Sequence, residues 1–372
     1  MIEMKKIKVL QVIPKFGITD GISHYLMNYY LHCDLSVLQI DFFLITEGDN
    51  KDFYNLVNEN NGNIYILKNV KSEFLYTMNQ IKEVMKNGNY DVVHCHVVNA
   101  APPFLYYAKK YGVKVRIIHS HATKTADKKW KEVRNDLIKP LAFYLSNRYL
   151  ACSKLAGDFL FGKRKYDILP VAIDLKPYLY NEALREKYRN KYNLKNKFVV
   201  ASIGRLCLQK NPYFALKVIK SLIDIVPNTM FIWIGNGELL DDIKKEIDSL
   251  DLEKNVLLLG AIKNISEIYN AIDVILMPSL YEGLPQIGIE VQANGLGIIA
   301  SDTVTREMDI SGNVKFISLK EKPEIWAKTI LSLFLDKKSN RNVDYFTKIT
   351  EAGFNIQVES TRIIELYRGY LK

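Results

Sequence analysis

Cysteine is scarce in this chain of 372 residues, and its four copies, Cys33, Cys95, Cys152 and Cys207, stand apart without any paired spacing. That excludes a disulfide framework and a Cys-x-x-Cys metal or redox motif. Three of the four lie in or beside apolar runs, where free cysteine packs as a small hydrophobe, so a reduced, cytoplasmic setting is expected. Long apolar runs are missing as well. The longest candidate, 141–152, is broken by Asn147 and Arg148 and falls short of the roughly 18 residues that a bilayer span needs. The first twelve residues set acid and lysines around short apolar runs, without the hydrophobic segment of a signal peptide, and read as a first strand. Neither export nor membrane integration is expected. No Asp-x-Asp occurs anywhere, so the carboxylate arrangement that commonly bridges a divalent metal to a diphosphate is absent, and no metal or other cofactor is expected. Helix-turn-helix, zinc-finger and aromatic RNA-binding signatures are also missing, which speaks against nucleic acid as a partner.

What is present describes two soluble domains. Hydrophobic residues make up 48% and charged residues 25%, the balance of a globular protein, and the length suits two domains that each bury a core. The net charge of +10 is concentrated. Residues 101–170 contain 15 Lys and Arg against 5 Asp and Glu, whereas the other 302 residues carry 36 of each. The densest part, Lys124–Lys139, sets Trp130 among Lys124, Lys128, Lys129, Lys131, Arg134 and Lys139. Such a stretch suits an anionic membrane surface, with a plain solvated helix face as the alternative. The oligomeric state is not legible.

Strand-like runs alternate with helix-length segments almost from end to end, the pattern of parallel α/β architecture. The first half offers strands at Ile7–Ile13, Gln39–Thr46, Ile64–Leu67, Val92–His96, Lys114–His119 and Tyr149–Cys152. The second offers Phe198–Ile203, Met230–Ile234, Val256–Leu259, Val274–Met277 and Ile298–Ala300, with helices at Pro212–Val226 and Leu239–Leu250. Two Rossmann-like domains follow, residues 1–172 and 173–350, with a cleft expected between them. A final helix, 351–372, has apolar residues at helical spacing (Ile356, Ile363, Ile364, Leu366, Tyr367) and is expected to return to the first domain.

The residues with chemistry to offer cluster at strand ends. Tyr281-Glu282-Gly283-Leu284-Pro285-Gln286-Ile287-Gly288-Ile289-Glu290 places one carboxylate before a helix and one on it, with Pro285 as the expected first helical residue. The free N–H groups of that first turn suit phosphate or sugar oxygens. Two carboxylates also invite comparison with a glycosidase acid/base couple, but that chemistry needs both to flank the scissile bond. Gly204-Arg205-Leu206-Cys207-Leu208-Gln209-Lys210-Asn211-Pro212 puts Arg205 and Lys210 on a loop entering a helix, with Asn211 as the expected N-cap. Two fixed cations there suit a diphosphate, Arg bidentately and Lys as a point charge. The first turn, around Gly17 and Gly21, lacks the full Gly-x-Gly-x-x-Gly pattern, and Gly235-Asn236-Gly237 reads as a structural turn. His94-Cys95-His96 and His119-Ser120-His121 each end a strand, with both histidines of a pair on one face. A buried structural role is expected for His94, and zinc is the less favoured reading because no acidic ligand completes a set.

Together the Gly-Arg-Leu…Lys-Asn loop and the Glu-x7-Glu motif resemble the retaining glycosyltransferases of family 4, which have the GT-B fold. Asp91-Val92-Val93-His94-Cys95-His96, Ala151-Cys152-Ser153, Leu169-Pro170, Leu259-Gly260, Met277-Pro278-Ser279-Leu280 and Ala300-Ser301-Asp302-Thr303 fall in the family's order, so the resemblance covers nearly the whole chain. The His-Ser-His run and Tyr281–Pro285 are most similar to the branch that builds bacterial capsule and exopolysaccharide. The resemblance implies that Arg205 and Lys210 grip the diphosphate of a nucleotide-sugar, by default a UDP-sugar. It further implies that Glu290 holds the ribose, that Glu282 contacts the sugar, and that Gly204, Gly283, Leu284 and Pro285 line the site. The loop at Gly21 is implied to approach the phosphate, and His121, or else His119, to serve the acceptor side. Transfer to a saccharide acceptor, lipid-linked at the inner membrane face, with retention and without metal, is the activity expected. The alternatives are a nucleotide-sugar epimerase of the same fold and a non-catalytic nucleotide-sugar-binding subunit. Departures from the family stand out as well: Asp20 and Ser23 in the first turn, Val171-Ala172 where a hinge glycine is usual, and Gln286 where an apolar or small residue is common.

Overall fold

The computed structural model describes residues 5–18, 20–67, 74–121, 129–262, 264–282, 284–337, 341 and 344–372. Gly283, and in the basic stretch Lys124 and Lys128 together with the side chains of 129–134, lie outside what is described.

The chain forms two compact units, Met1–Ile173 with Asn355–Lys372, and Asp174–Phe354. In the first, strands β1 (Ile7–Ile13), β2 (Leu38–Leu44), β3 (Ile64–Ile66), β4 (Val92–Cys95), β5 (Val115–Ser120), β6 (Arg148–Ala151) and β7 (Asp167–Ile168) form one sheet in the order β3-β2-β1-β4-β5-β6-β7. In the second, β8 (Phe198–Ile203), β9 (Thr229–Ile234), β10 (Val256–Gly260), β11 (Val274–Met277), β12 (Gly297–Ser301) and β13 (Val314–Ile317) take the order β10-β9-β8-β11-β12-β13. Every described pairing is parallel. Parallel strands with helices on both faces must be largely apolar on both sides, which is why β11 reads as a continuous hydrophobic run and β1 and β8 as mostly apolar ones. Each sheet separates two cores. In the first unit, Val9, Ile13 and Phe42 pack on one face and Leu10, Val12 and Phe43 on the other.

Both sheets reverse their order beside the first strand, at β1/β4 and at β8/β11, and ligands of open α/β sheets bind beyond the carboxyl ends of strands at such points. That rule locates the two candidate sites.

The helix Ile356–Leu371 belongs to the first unit. It packs on the helix Gly21–His32 and buries Ile356, Ile363, Ile364 and Tyr367, each such side chain contributing about 1.5–3 kcal/mol. The chain leaves this unit after Ile173 and re-enters it at Asn355, past the short helix Tyr345–Glu351, so the return falls later than 351. Ile173 and Asn355 pair as a parallel bridge, with the Ile356 N–H donating to the Ile173 carbonyl at 3.0 Å. Ala172, in the place of the family's hinge glycine, is buried, and its N–H closes a tight turn onto the Pro170 carbonyl at 2.9 Å.

Two local expectations are corrected. Pro285 is the N-cap, and the helix runs Gln286–Ala293, because the extended backbone of Pro285 (ψ +122°) lies outside the helical region. Asn211 occupies the N-cap position of Pro212–Ile225 but in left-handed conformation (φ +55°), with no side-chain capping bond. The residue before a proline is pushed away from right-handed helical geometry, and asparagine tolerates the left-handed alternative.

Candidate active site

In the second unit the chain leaves β8 and turns at Gly204, whose φ of +134° disfavours any side chain. A Cβ there would stand 2.8 Å from the Lys210 side chain, which lies back over the turn. The neighbouring strand β9 fixes this turn: the Gly204 N–H donates to the Ile234 carbonyl at 2.9 Å, and Trp233 Nε1 to the Gly204 carbonyl at 3.1 Å. The backbones meet so closely that a Cβ on Gly235 would sit 2.1 Å from the Gly204 oxygen. The Gly235-Asn236-Gly237 turn therefore serves as the wall on which the Arg205–Lys210 loop is formed.

Lys210 ends a 3-10 turn, Leu208–Lys210, and its Nζ pairs with the carboxylate of Glu282; both side chains are largely buried. The loops after β8 and β11 are laced together here. The Leu280 N–H donates to the Gln209 carbonyl at 2.8 Å, and Gln209 Nε2 to the Tyr281 carbonyl at 3.0 Å. Arg205 is exposed and forms no ion pair among the described residues. Sequence reasoning missed Ser279. Its hydroxyl is buried without a hydrogen-bond partner among the described residues, and it lines a small cavity together with Lys210. A serine within the Pro278-Ser279-Leu280 run, directly after a strand at the switch point, was the available signal.

Glu290 lies on the helix that Pro285 opens and is 7% exposed. One carboxylate oxygen accepts from the Tyr269 hydroxyl at 2.6 Å and the other from Gln286 Nε2 at 2.9 Å. Gln286 thus fixes the orientation of Glu290, and Leu284 is half-buried just before the helix. The structure brings Gly204, Lys210 and Glu282 together and leaves Glu290 tied to its own neighbours.

In the first unit the two His-x-His pairs interlock at the ends of β4 and β5. His94 Nε2 lies 3.0 Å from His119 Nδ1, and His96 Nδ1 lies 2.7 Å from His121 Nε2. Gln11, on β1, joins both pairs: its Oε1 is 2.8 Å from His96 Nε2, and its Nε2 donates at 3.2 Å to the Tyr367 hydroxyl, which is 2.8 Å from His94 Nδ1. Burial holds these imidazoles neutral, bringing His94 and His121 down to about 3 and His96 and His119 well below the ordinary value. Nitrogens of His94, His96 and His119 lie within 4.8 Å of one another, a spacing a metal could use. Both nitrogens of His94 and of His96 are already hydrogen-bonded, and a metal would have to displace those bonds. His121 borders a cavity of about 280 Å³ lined also by Ile22, Val97, Val98, Lys139 and Phe159.

The departures in the first turn have a local purpose. Asp20 caps the helix Gly21–His32 by accepting from the Ser23 N–H at 2.9 Å, and Ser23 Oγ accepts from the Gly17 N–H at 2.9 Å while donating to the Lys15 carbonyl at 2.6 Å. These bonds shape the turn, and Gly21 has open space where a Cβ would stand.

Two Rossmann-like parallel sheets in two units are the architecture of the GT-B class. Residues 185–349 match the family model described as Glycosyl transferases group 1. The chain is 28% identical over 371 residues to EpsF of Bacillus subtilis strain 168, covering 97% of this chain and 96% of that protein. It is also 29% identical over 238 residues to the UDP-Gal:α-D-GlcNAc-diphosphoundecaprenol α-1,3-galactosyltransferase of Escherichia coli, covering 59% and 60%. Among solved structures, Anabaena HepE in complex with UDP superposes with a TM-score of 0.80 at 17% identity, covering 97% of this chain and all of that one. HepE has also been solved with UDP-glucose, at a TM-score of 0.74. The chain has the fold of the GT-B class and is similar to glycosyltransferases of the family 4 type.

Proposed function

We propose that the second unit binds a nucleoside diphosphate-sugar, a UDP-sugar by default, and that the protein transfers the sugar with retention to a lipid-linked saccharide in bacterial capsule, exopolysaccharide or related surface-glycan synthesis. The observation that carries this reading is the Lys210–Glu282 pair held at the switch point of the second sheet, with exposed Arg205 on the same loop. A diphosphate entering there offers Lys210 a stronger partner than one carboxylate. Glu282, released, becomes an acceptor for sugar hydroxyls. Glu290 serves as the acceptor for ribose hydroxyls while Tyr269 and Gln286 hold it still. Gly204, Leu284 and Pro285 complete the sugar-donor site. The diphosphoundecaprenol acceptor of the Escherichia coli relative and the UDP and UDP-glucose complexes of HepE support the choice of substrates.

In the reaction, the bond between the anomeric carbon and the diphosphate oxygen breaks, and its electron pair leaves with the nucleoside diphosphate. The acceptor hydroxyl oxygen bonds to the anomeric carbon on the same face, and its proton passes to the departing phosphate oxygen. Arg205, Lys210 and the first turn of the helix Gln286–Ala293 stabilise the growing negative charge, the contribution a metal makes elsewhere. Release of nucleoside diphosphate that requires acceptor and persists in excess EDTA is the expected result. Release that EDTA abolishes contradicts the metal-free reading, and epimerisation without acceptor contradicts transfer.

The first unit takes the acceptor, at the His119/His121 end of β5. It docks on the anionic inner membrane face through segment 101–170, where Leu137, Leu141 and Tyr144 stand exposed along one face of the helix Lys129–Leu145 and the Lys109 ammonium lies 4.5 Å over the Tyr144 ring. Co-sedimentation with vesicles should rise with anionic lipid content and fall in a Leu137→Gln/Tyr144→Gln variant. Binding indifferent to both changes contradicts the docking.

A further inference from the structure

We propose that Gln11 and Tyr367 are positioning residues that lock His94, His96, His119 and His121 into one common tautomer, so that the ring nitrogen His121 leaves unbonded has a fixed hydrogen-bonding character. The inference rests on the reading of this end of the first unit as the acceptor site for its use, but on hydrogen-bond geometry alone for its existence.

A neutral imidazole has one N–H and one lone pair. Gln11 Oε1 can only accept, so His96 donates from Nε2, and its Nδ1 must accept. His121 then donates from Nε2 to that nitrogen. On the other branch the Tyr367 hydroxyl accepts from Gln11 Nε2, and its own proton has one acceptor in reach, His94 Nδ1. His94 therefore donates from Nε2 to His119 Nδ1, and His119 carries its proton on Nε2. All four rings are Nε2–H.

Turning the Gln11 amide by half a turn reverses every bond in both branches and makes all four rings Nδ1–H. A mixed set would either set two lone pairs or two protons against each other across one of these short contacts or leave the buried Tyr367 hydroxyl proton unused, and buried polar groups so placed are costly. One amide, on β1, thus decides the character of two histidine pairs and reaches Tyr367 on the last helix. His121 Nδ1 has no hydrogen bond among the described residues. In the orientation seen here it is a lone pair, suited to a sugar hydroxyl that donates to it. The surroundings keep these rings neutral, so His121 orients a hydroxyl and does not carry its proton at neutral pH. Tyr25 holds the far side, with its ring centroid 5.0 Å from that of His121 and 5.4 Å from that of His119 in edge-on contact.

The test is long-range proton–nitrogen NMR of the full chain labelled with 15N, which separates the two tautomers and imidazolium without turnover. One tautomer shared by all four rings is expected, Nε2–H in this orientation. Gln11→Met should leave His94 and His119 as Nε2–H, because Tyr367 still donates to His94, and should spread His96 and His121 over both tautomers. Tyr367→Phe should free His94 and His119. Rings of unlike tautomer in the unaltered protein, a metal-bound ring, or Gln11→Met spectra unchanged at His96 and His121 would overturn the proposal. Gln11→Met should also raise the KM for acceptor about tenfold, the equivalent of one hydrogen bond. The expected tautomers with an unchanged acceptor KM would sustain the lock and overturn the acceptor assignment instead.

Discussion

Replacing Lys210 with methionine is expected to lower sugar transfer by about 10²–10³-fold, the usual loss when one preorganised charge-stabilising group is removed from a transition state. Two effects have to be separated. In the proposed reaction Lys210 meets the departing diphosphate, but it also neutralises Glu282, whose side chain is only 10% exposed. Breaking a mostly buried pair leaves an uncompensated carboxylate, which costs about 3–5 kcal/mol when burial is complete and less here. The single variant should therefore be both slow and less stable. Combining Lys210→Met with Glu282→Gln removes the stranded charge, so thermal stability should recover while transfer stays low. Recovery of both would mean that Lys210 acts only as a structural counter-ion.

Gly235→Ala should be the most damaging methyl group in the second unit. The new Cβ would stand 2.1 Å from the Gly204 oxygen, and the position has a φ of +135°. Left-handed strain and overpacking together should cost about 2–5 kcal/mol and lower Tm by roughly 5 °C or more. The clash pushes on the Gly204 turn, so affinity for UDP should fall even well below Tm. Gly21→Ala is the control: it has open space and heads a helix, so stability should hold or rise slightly. Equal effects of the two substitutions would mean that the Gly235 wall does not form the Arg205–Lys210 loop.

The sheets were legible because burial on both faces writes parallel strands as mostly apolar runs, uninterrupted in β11 and broken only by Lys8 and Gln11 in β1 and by Ser202 in β8. β7 and β13 were not, since Asp167–Ile168 is two residues long and Val314–Ile317 carries a lysine. The cations, the carboxylates and the same-face histidines were visible in local spacing. Their partners were not: Tyr269 is 21 residues from Glu290, and Tyr367 is 273 from His94. Gln11 did leave a trace, as one amide inside a mostly apolar strand. Asp20 and Ser23 read as departures from a family pattern, yet their bonds to each other and to Lys15 and Gly17 are local and follow from capping chemistry.

The central claim is that Arg205, Lys210 and Glu282 form a sugar-donor site that works by charge alone. The most direct measurement is acceptor-dependent UDP release in excess EDTA, comparing the unaltered protein with the Lys210→Met/Glu282→Gln variant under conditions where both are folded. The account predicts release by the first and a loss of at least about 10²-fold in the second. Comparable release by both, or release by the first only after a divalent metal is restored, would contradict it.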